Sequence, residues 1–347
     1  MKKLGVCGHF GNGKQLLNGQ TVKTKIITSE LIKQYGENQV GIVDTYGGAK
    51  RTISHLTWLW KLTAECENVI ILPAHNGLRI IAPFLTFINK KFRRCLHYVV
   101  IGGWLPELIS NKSHLTKCLK KFDYIYVETQ TMKDALEKQG FSNIVIMPNC
   151  KSLQTLSEDE LVYSKTEPFK LCTFSRVTEK KGIKEAVDAV KKANEILGRV
   201  AYTLDMYGQI EAEYADEFSA LEASLPEYVK YMGSVDFDKS VEILSNYYAL
   251  LFPTKYYTEG IPGTIIDAYA AGVPVISSRW ESFADIIDDN VVGKGYDFSD
   301  NESLVTLLLN AAQHPEELNN MKKSCLKKAQ DYEASKVVKT ILSERLK

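Results

Sequence analysis

Short apolar runs alternate with amphipathic stretches along this chain, and the alternation starts twice. Residues 3–8, 39–44, 68–73, 95–101, 124–128 and 143–147 read as strands, with helical patterns between them such as 24–35 and 131–140. A polar stretch, 149–168, then breaks the rhythm; it carries Ser157-Glu158-Asp159-Glu160 and no long apolar run. Strands resume at 169–175, 202–207, 228–232, 248–252 and 273–277, with helices expected at 184–197, 236–244, 263–271 and 301–312. Strands separated by helices return in the same direction, so the pattern predicts an α/β fold built from parallel, doubly wound sheets. The expected organisation is a first domain over 1–150, a linker over 151–168 and a second domain over 169–330. Residues 331–347 read as one C-terminal helix placed to cross back to the first domain, with Val337, Val338, Ile341 and Leu342 on a shared face. Two such sheets are expected to turn their carboxyl-end loops toward a cleft.

At 347 residues, 45% of them hydrophobic and 24% charged, the chain is long enough for two cores of ordinary size. Seven cysteines run from Cys7 to Cys325 with no C-x-x-C pair, a pattern of reduced thiols that predicts a cytoplasmic protein. The start, Met1-Lys2-Lys3-Leu4, turns glycine-rich before a signal segment can form, and no run approaches the roughly 20 apolar residues of a membrane span. The net charge of +1 hides an asymmetry: 22 Lys and Arg face 13 Asp and Glu in residues 1–165, against 21 and 29 in the rest. Much of the excess lies in Phe87-Ile88-Asn89-Lys90-Lys91-Phe92-Arg93-Arg94 and in Lys112, Lys117, Lys120 and Lys121. Cations interleaved with Phe84, Phe87, Phe92 and Leu96 suit peripheral contact with an anionic membrane or an anionic acceptor; a solvated helix face gives the same pattern.

Chemistry concentrates in Thr258-Glu259-Gly260-Ile261-Pro262-Gly263-Thr264-Ile265-Ile266-Asp267, which leads through an Ala-rich helix to Gly272-Val273-Pro274-Val275-Ile276. A glycine-led helix start offers unpaired N–H groups and a positive dipole end, where phosphate binds readily. Eight helical residues span about 12 Å, so Glu259 and Asp267 can address opposite ends of a nucleotide-sugar, and carboxylates accept hydrogen bonds from sugar hydroxyls. An ordinary strand-loop-helix in which both acids only cap or face water has the same pattern. The segment resembles the glycosyltransferases of GT-B fold that retain anomeric configuration (group 1, family 4 type), with their E-x7-E signature and G-x-P-V-I strand. Asp267 stands where that family has a second glutamate.

Phe174-Ser175-Arg176-Val177-Thr178-Glu179-Lys180-Lys181-Gly182 resembles the same family's G-R-L-x-x-x-K-G loop, with Ser175 in place of glycine. The resemblance implies two Rossmann-like domains, an acceptor domain followed by a donor domain, and no catalytic metal or cofactor beyond a UDP- or GDP-linked sugar as co-substrate. It implies that Arg176 and Lys181 hold the diphosphate with backbone N–H groups of Ile261, Gly263 and Thr264, and it makes Gly260 a further donor-binding residue. Glu259 would hold the donor sugar and Asp267 the ribose. Leu204-Asp205-Met206-Tyr207-Gly208 and Tyr231-Met232-Gly233-Ser234-Val235 resemble strands entering the donor pocket, which nominates Gly208 and Val235. Asp236, Asp238, Asp288 and Asp289 have the look of metal-binding acid pairs, but metal-dependent transferases belong to a single-domain fold.

In the first domain, Gly8-His9-Phe10-Gly11-Asn12-Gly13-Lys14 satisfies G-x-x-x-x-G-K, the phosphate loop of P-loop kinases and ATPases, except that Gln15 replaces the magnesium-binding Ser/Thr. On the glycosyltransferase reading Gly11, Asn12 and Gly13 approach the donor instead. His9, His75 and Trp104 are the acceptor-side candidates, with His97 structural. The function expected is sugar transfer to a glycan or lipid-linked acceptor in capsule, exopolysaccharide or lipopolysaccharide synthesis. A sugar-nucleotide epimerase of the same fold, a P-loop enzyme and an inactive donor-binding scaffold are the alternatives.

Overall fold

The computed structural model describes residues 1–14, 19–47 and 51–346. Gln15 and Asn18 lie outside the described residues. The chain forms two compact units, one of residues 1–152 with 332–347, the other of residues 153–331.

The first unit holds strands β1 (Lys2–Gly8), β2 (Val40–Asp44), β3 (Cys66–Leu72), β4 (Cys95–Val99), β5 (Tyr124–Val127) and β6 (Ile144–Ile146). They form one sheet in the order β2-β1-β3-β4-β5-β6, every pair parallel. Successive side chains go to opposite faces, and both faces are buried. Cys7, Ile71, Tyr98 and Ile125 join one core with Leu78 and Leu85, while Val6, Ile70, Val99 and Tyr126 join the other with Ile27 and Leu31. That second core also takes Ala334, Val337, Val338 and Leu342. Residues 331–347 are not one helix: a short 3-10 turn, Gln330–Tyr332, precedes an α segment Ala334–Val337, a π segment Val338–Leu342 and a final 3-10 turn.

The second unit holds β7 (Phe169–Phe174), β8 (Tyr202–Tyr207), β9 (Val229–Gly233), β10 (Ala249–Phe252), β11 (Val275–Ser278) and β12 (Gly293–Tyr296). Their order is β12-β11-β10-β7-β8-β9, again parallel throughout. Leu171, Leu204, Met206, Leu251 and Ile276 pack on one face with Val187, Val190, Leu304 and Leu308 of the helices Ile183–Leu197 and Asn301–Gln313. β12 was not expected from the sequence, because Gly293-Lys294-Gly295-Tyr296 has two glycines and a charge where an apolar run would betray a strand. Each sheet reverses its winding once, between β1 and β3 in the first and between β7 and β10 in the second. Open α/β sheets bind ligands at the carboxyl ends of the strands flanking such a reversal.

Candidate functional site

In the second unit the strands flanking the reversal end at Phe174 and Phe252, and the loops that follow them meet. The Lys255 N–H donates to the carbonyl of Lys180 at 2.8 Å. Gly182 makes the approach possible: its φ is +68°, and a Cβ there would stand 1.9 Å from the Pro253 carbonyl oxygen. Only glycine accepts both conditions. Lys181, immediately before it, sets its ammonium 2.5 Å from a Glu259 carboxylate oxygen, with both side chains about 15% exposed. The buried Thr254 hydroxyl lies 3.4 Å from the same oxygen.

Lys181 and Glu259 line a cavity of about 1060 Å³ with Arg176, Thr178, Lys184, Lys255 and Tyr256. Four of its five cations are engaged by carboxylates, while Lys180 lies over the Tyr256 ring at 5.5 Å. Arg176, 62% exposed, donates to Glu211; Lys255 reaches Glu185 at 2.9 Å and Glu179 at 3.4 Å; Lys184 pairs with Asp188. An anion entering here meets cations already in place, and it must displace acids of the chain to reach Arg176, Lys181, Lys184 or Lys255.

Of the donor-side residues nominated from sequence, Arg176, Lys181 and Glu259 share this cavity; Gly208, Val235, Gly260, Ile261, Gly263, Thr264 and Asp267 do not line it. Gly208 instead braces the first loop: with φ +138°, its position leaves a Cβ 1.8 Å from the Ser175 carbonyl oxygen. Gly263 opens the helix Gly263–Ala270, whose first N–H groups have no intrahelical acceptor. The Thr264 hydroxyl there is buried without a hydrogen-bond partner. Asp267, one turn inside, is only 5% exposed. The acid pairs at 288–289 are spent on structure: Asp288 pairs with Lys328 at 2.9 Å, and Asp289 with Arg279 and the Gly295 N–H. Glu211, Glu179 and Glu185 were missed by the sequence reading, since nothing local marks which acid will meet which cation.

At the reversal of the first sheet, β1 delivers His9 and β3 leads to His75. Both line a cavity of about 350 Å³ with His55, Gln20, Asn76, Leu56 and Ile80. The His9 Nδ1 is 2.7 Å from the Thr21 hydroxyl. His75 stacks on Trp104 with ring centroids 3.8 Å apart, and Trp104 donates its indole N–H to the Ile101 carbonyl at 2.7 Å. Burial pulls the His75 pKa down, Arg79 adds to that, and Glu107 opposes it. His55, which the sequence reading did not single out, is 8% exposed and leaves Nε2 without a partner. His97 is wholly buried between Tyr126 and Asn68.

The loop after β1 is organised by a carboxylate that sequence reading missed. Asp44 accepts the N–H groups of Phe10, Asn12 and Tyr46 at 2.7–2.9 Å. Burial raises its pKa, but these donors and His9 outweigh that and leave it below the usual range. Gly11, Asn12 and Gly13 take φ of +84°, +47° and +81°, curling the loop around that anion. A phosphate loop uses such N–H groups on its ligand; here at least two of them already hold a carboxylate of the same chain. Lys23 and Glu128, each 2% exposed, form a buried pair at 2.6 Å beside the Val100 carbonyl.

Residues 158–328 match the sequence profile of the family described as glycosyl transferases group 1. A stretch of 151 residues is 28% identical to the amylovoran biosynthesis glycosyltransferase AmsK of Erwinia amylovora, taking in 42% of this chain and 37% of that relative. Among solved structures, HepE of Anabaena in complex with UDP and glucose aligns with a TM-score of 0.75 at 14% identity, covering 100% of this chain and 99% of that one. The lipopolysaccharide outer core galactosyltransferase WaaB in its apo form aligns with a TM-score of 0.71 at 15% identity over 100% of both chains. At these identities the likeness is one of fold, two parallel-sheet units of GT-B type.

Proposed function

Residues 158–328 belong to the glycosyl transferases group 1 family, and from that premise we propose that this enzyme is a metal-independent, retaining transferase of hexosyl or related sugars. The donor is a UDP- or GDP-sugar and the acceptor a hydroxyl of a glycan or lipid-linked glycan in cell-surface polysaccharide or lipopolysaccharide synthesis. The enzyme works in the cytoplasm against the inner face of the plasma membrane. The observation that carries the reading is the Lys181–Glu259 pair: a cation for the diphosphate and an acid for the sugar, brought together at the reversal of the second sheet.

In this reading Arg176 and Lys181 exchange their carboxylate partners for the donor's diphosphate. As the bond between the anomeric carbon and the β-phosphate oxygen breaks, charge grows on that oxygen and the two cations stabilise it. Glu259 and Asp267 would accept hydrogen bonds from the sugar and the ribose, and the first N–H groups of the helix that begins at Gly263 would donate to the phosphates. The acceptor hydroxyl bonds to the anomeric carbon on the face the phosphate leaves and passes its proton to the departing phosphate oxygen. The first unit takes the acceptor, with His9 and His75 lining its cavity and Trp104 stacked on His75.

Thermal shift tests the donor site. UDP or GDP without magnesium is expected to stabilise the chain, by about 2.7 kcal/mol at one hundred times Kd. Arg176→Ala and Lys181→Ala are expected to lose most of that shift. Stabilisation by Mg-ATP alone would overturn the proposal. Proton NMR of the transferred sugar reads retention directly, and an altered nucleotide-sugar formed without acceptor would identify an epimerase.

A further inference from the structure

The helices Thr52–Glu65 and His75–Phe92 of the first unit turn apolar side chains outward, where the outer helices of an α/β layer are normally polar. On the first, Ile53 and Trp60, seven positions apart and so on one stripe, are 83% and 46% exposed. On the second, Ile80 and Phe87 repeat that spacing at 45% and 69%. The two helices touch where the Trp60 ring meets the Phe92 ring edge-on at 5.4 Å, and Lys91 sits over that same Phe92 ring at 5.6 Å. Lys90 lies over Phe87 at 5.9 Å.

Charge here is mostly of one sign. Arg51, Lys61, Arg79, Lys90, Lys91, Arg93 and Arg94 fall on or within two residues of the two helices, against the acids Glu65 and Glu67, of which Glu67 pairs with Lys3. Lys61 pairs with Glu65, and Arg94 is tied to the carbonyls of Thr63 and Ala64. Lys90, Lys91 and Arg93 are exposed around the aromatic patch. Aromatic rings that enter the headgroup layer, ringed by long cations that reach lipid phosphates, match a bilayer surface and mismatch water.

We propose that this two-helix face docks the enzyme on an anionic lipid bilayer, with Trp60 and Phe87 inserted and Lys90, Lys91 and Arg93 on the headgroups. The inference rests on the membrane contact in the proposed function and assigns it a face and a lipid charge. Ile80 belongs both to this face and to the wall of the histidine cavity, so docking brings that cavity to the lipid surface. An acceptor carried by a lipid then reaches the cavity from the membrane, and its carrier need not leave the bilayer.

The full chain is to be sedimented with vesicles of mixed phosphatidylglycerol and phosphatidylcholine, and with phosphatidylcholine alone, at low and high salt. Binding is expected only to the anionic vesicles, with release by salt. Phe87→Ser and the double change Lys90→Glu with Lys91→Glu should each lower partitioning about tenfold, while Trp60→Phe leaves it intact. In the unaltered chain, brominated lipid should quench tryptophan fluorescence, and Trp60→Phe should remove most of that quenching. Equal binding to both vesicles, charge-reversed variants that bind as the wild type does, or no quenching would overturn the proposal. So would a dimer in solution that Phe87→Ser dissociates while vesicle binding persists, which would make the face an interface between copies. The UDP thermal shift, read on every sample, separates the two ideas: vesicle binding lost with the UDP response intact sinks the docking face alone.

Discussion

Arg176 stands largely in solvent with Glu211 as its partner, whereas Lys181 is mostly enclosed and locked to Glu259, so the two cations offer a diphosphate different terms. Releasing Arg176 costs only an exposed pair, and such pairs are weak. Glu211→Gln removes that competitor and a negative charge from the cavity, so UDP or GDP should bind roughly twofold to fivefold more tightly by calorimetry. Weaker binding in the variant would mean that Glu211 orients the guanidinium. Lys322 presents the opposite case, a buried lysine that pairs with no acid among the described residues. It is 1% exposed on the helix Pro315–Ala329 and donates to the Tyr247 carbonyl at 3.2 Å. Burial brings its pKa down from 10.5 to about 8, a little offset by Cys325. Below about pH 8 the ammonium is charged in both folded and unfolded chains, and its burial costs about 3 kcal/mol. Between about 8 and 10.5 the unfolded chain holds more protons, so the native state regains that stability as pH rises. Lys322→Met should therefore stabilise the protein by about 2 kcal/mol at pH 7, the lost hydrogen bond offsetting part of the gain. Urea unfolding of both proteins should show the difference shrinking toward pH 10.5, and a difference constant with pH would refute the assignment.

The two strand-end loops of the second unit are joined through Gly182, which ends one short helix and opens the helix Ile183–Leu197 while its Cα lies against the Pro253 carbonyl. An alanine there carries the left-handed penalty of roughly 1–2 kcal/mol, and its methyl group also pushes the turn away from the end of β10. Gly182→Ala is expected to destabilise the chain by roughly 2 kcal/mol or more in urea and to weaken UDP binding, because Lys181 moves with the turn. Unchanged UDP affinity in a variant that still folds would show that the lysine is placed by something else. The parallel sheets were legible because strands buried on both faces are written as unbroken apolar runs, as in Val69-Ile70-Ile71-Leu72 and Ala249-Leu250-Leu251-Phe252. β12 was illegible because it is an edge strand of four residues whose two glycines come close to other groups, Gly293 to the Val275 backbone and Gly295 to Arg279 and Phe283. The candidate site divides in the same way. Lys181 and Glu259 stand out in their own loops, but their meeting across 78 positions is a product of the fold. So are the grip of Asp44 on the loop after β1 and the Lys23–Glu128 pair, whose partners lie 32 to 34 and 105 positions apart. The G-x-x-x-x-G-K match misleads for a related reason: a local pattern cannot show that a distant aspartate already occupies its N–H groups.

At the scale of the whole chain, the last residues do not extend the second unit; they complete the first. Lys151 and residues 332–334 exchange backbone hydrogen bonds of 3.0 and 2.9 Å, so the chain leaves and re-enters the first unit at the same place. From there Val337, Val338 and Leu342 drop into the core beside Val6, Ile27 and Leu31, each 2% exposed or less. Burying each such side chain contributes about 1.5–3 kcal/mol, so this short segment supplies stability comparable to the whole margin of a typical domain. Its helical run changes from α to π form at Val338, and Ser343 reaches Gln34 at 2.6 Å. A chain ending at residue 331 should therefore lose the first unit at a much lower temperature while the second unit keeps its own core and its UDP response. Calorimetry of the truncated chain would show two separated transitions, with added UDP moving only the upper one. If the truncated chain instead melts in one transition at the temperature of the full chain, the terminal segment contributes nothing to that core. If it melts once at a lower temperature and UDP no longer shifts it, the donor unit depends on the first unit for its folding, and the two cores are one cooperative system.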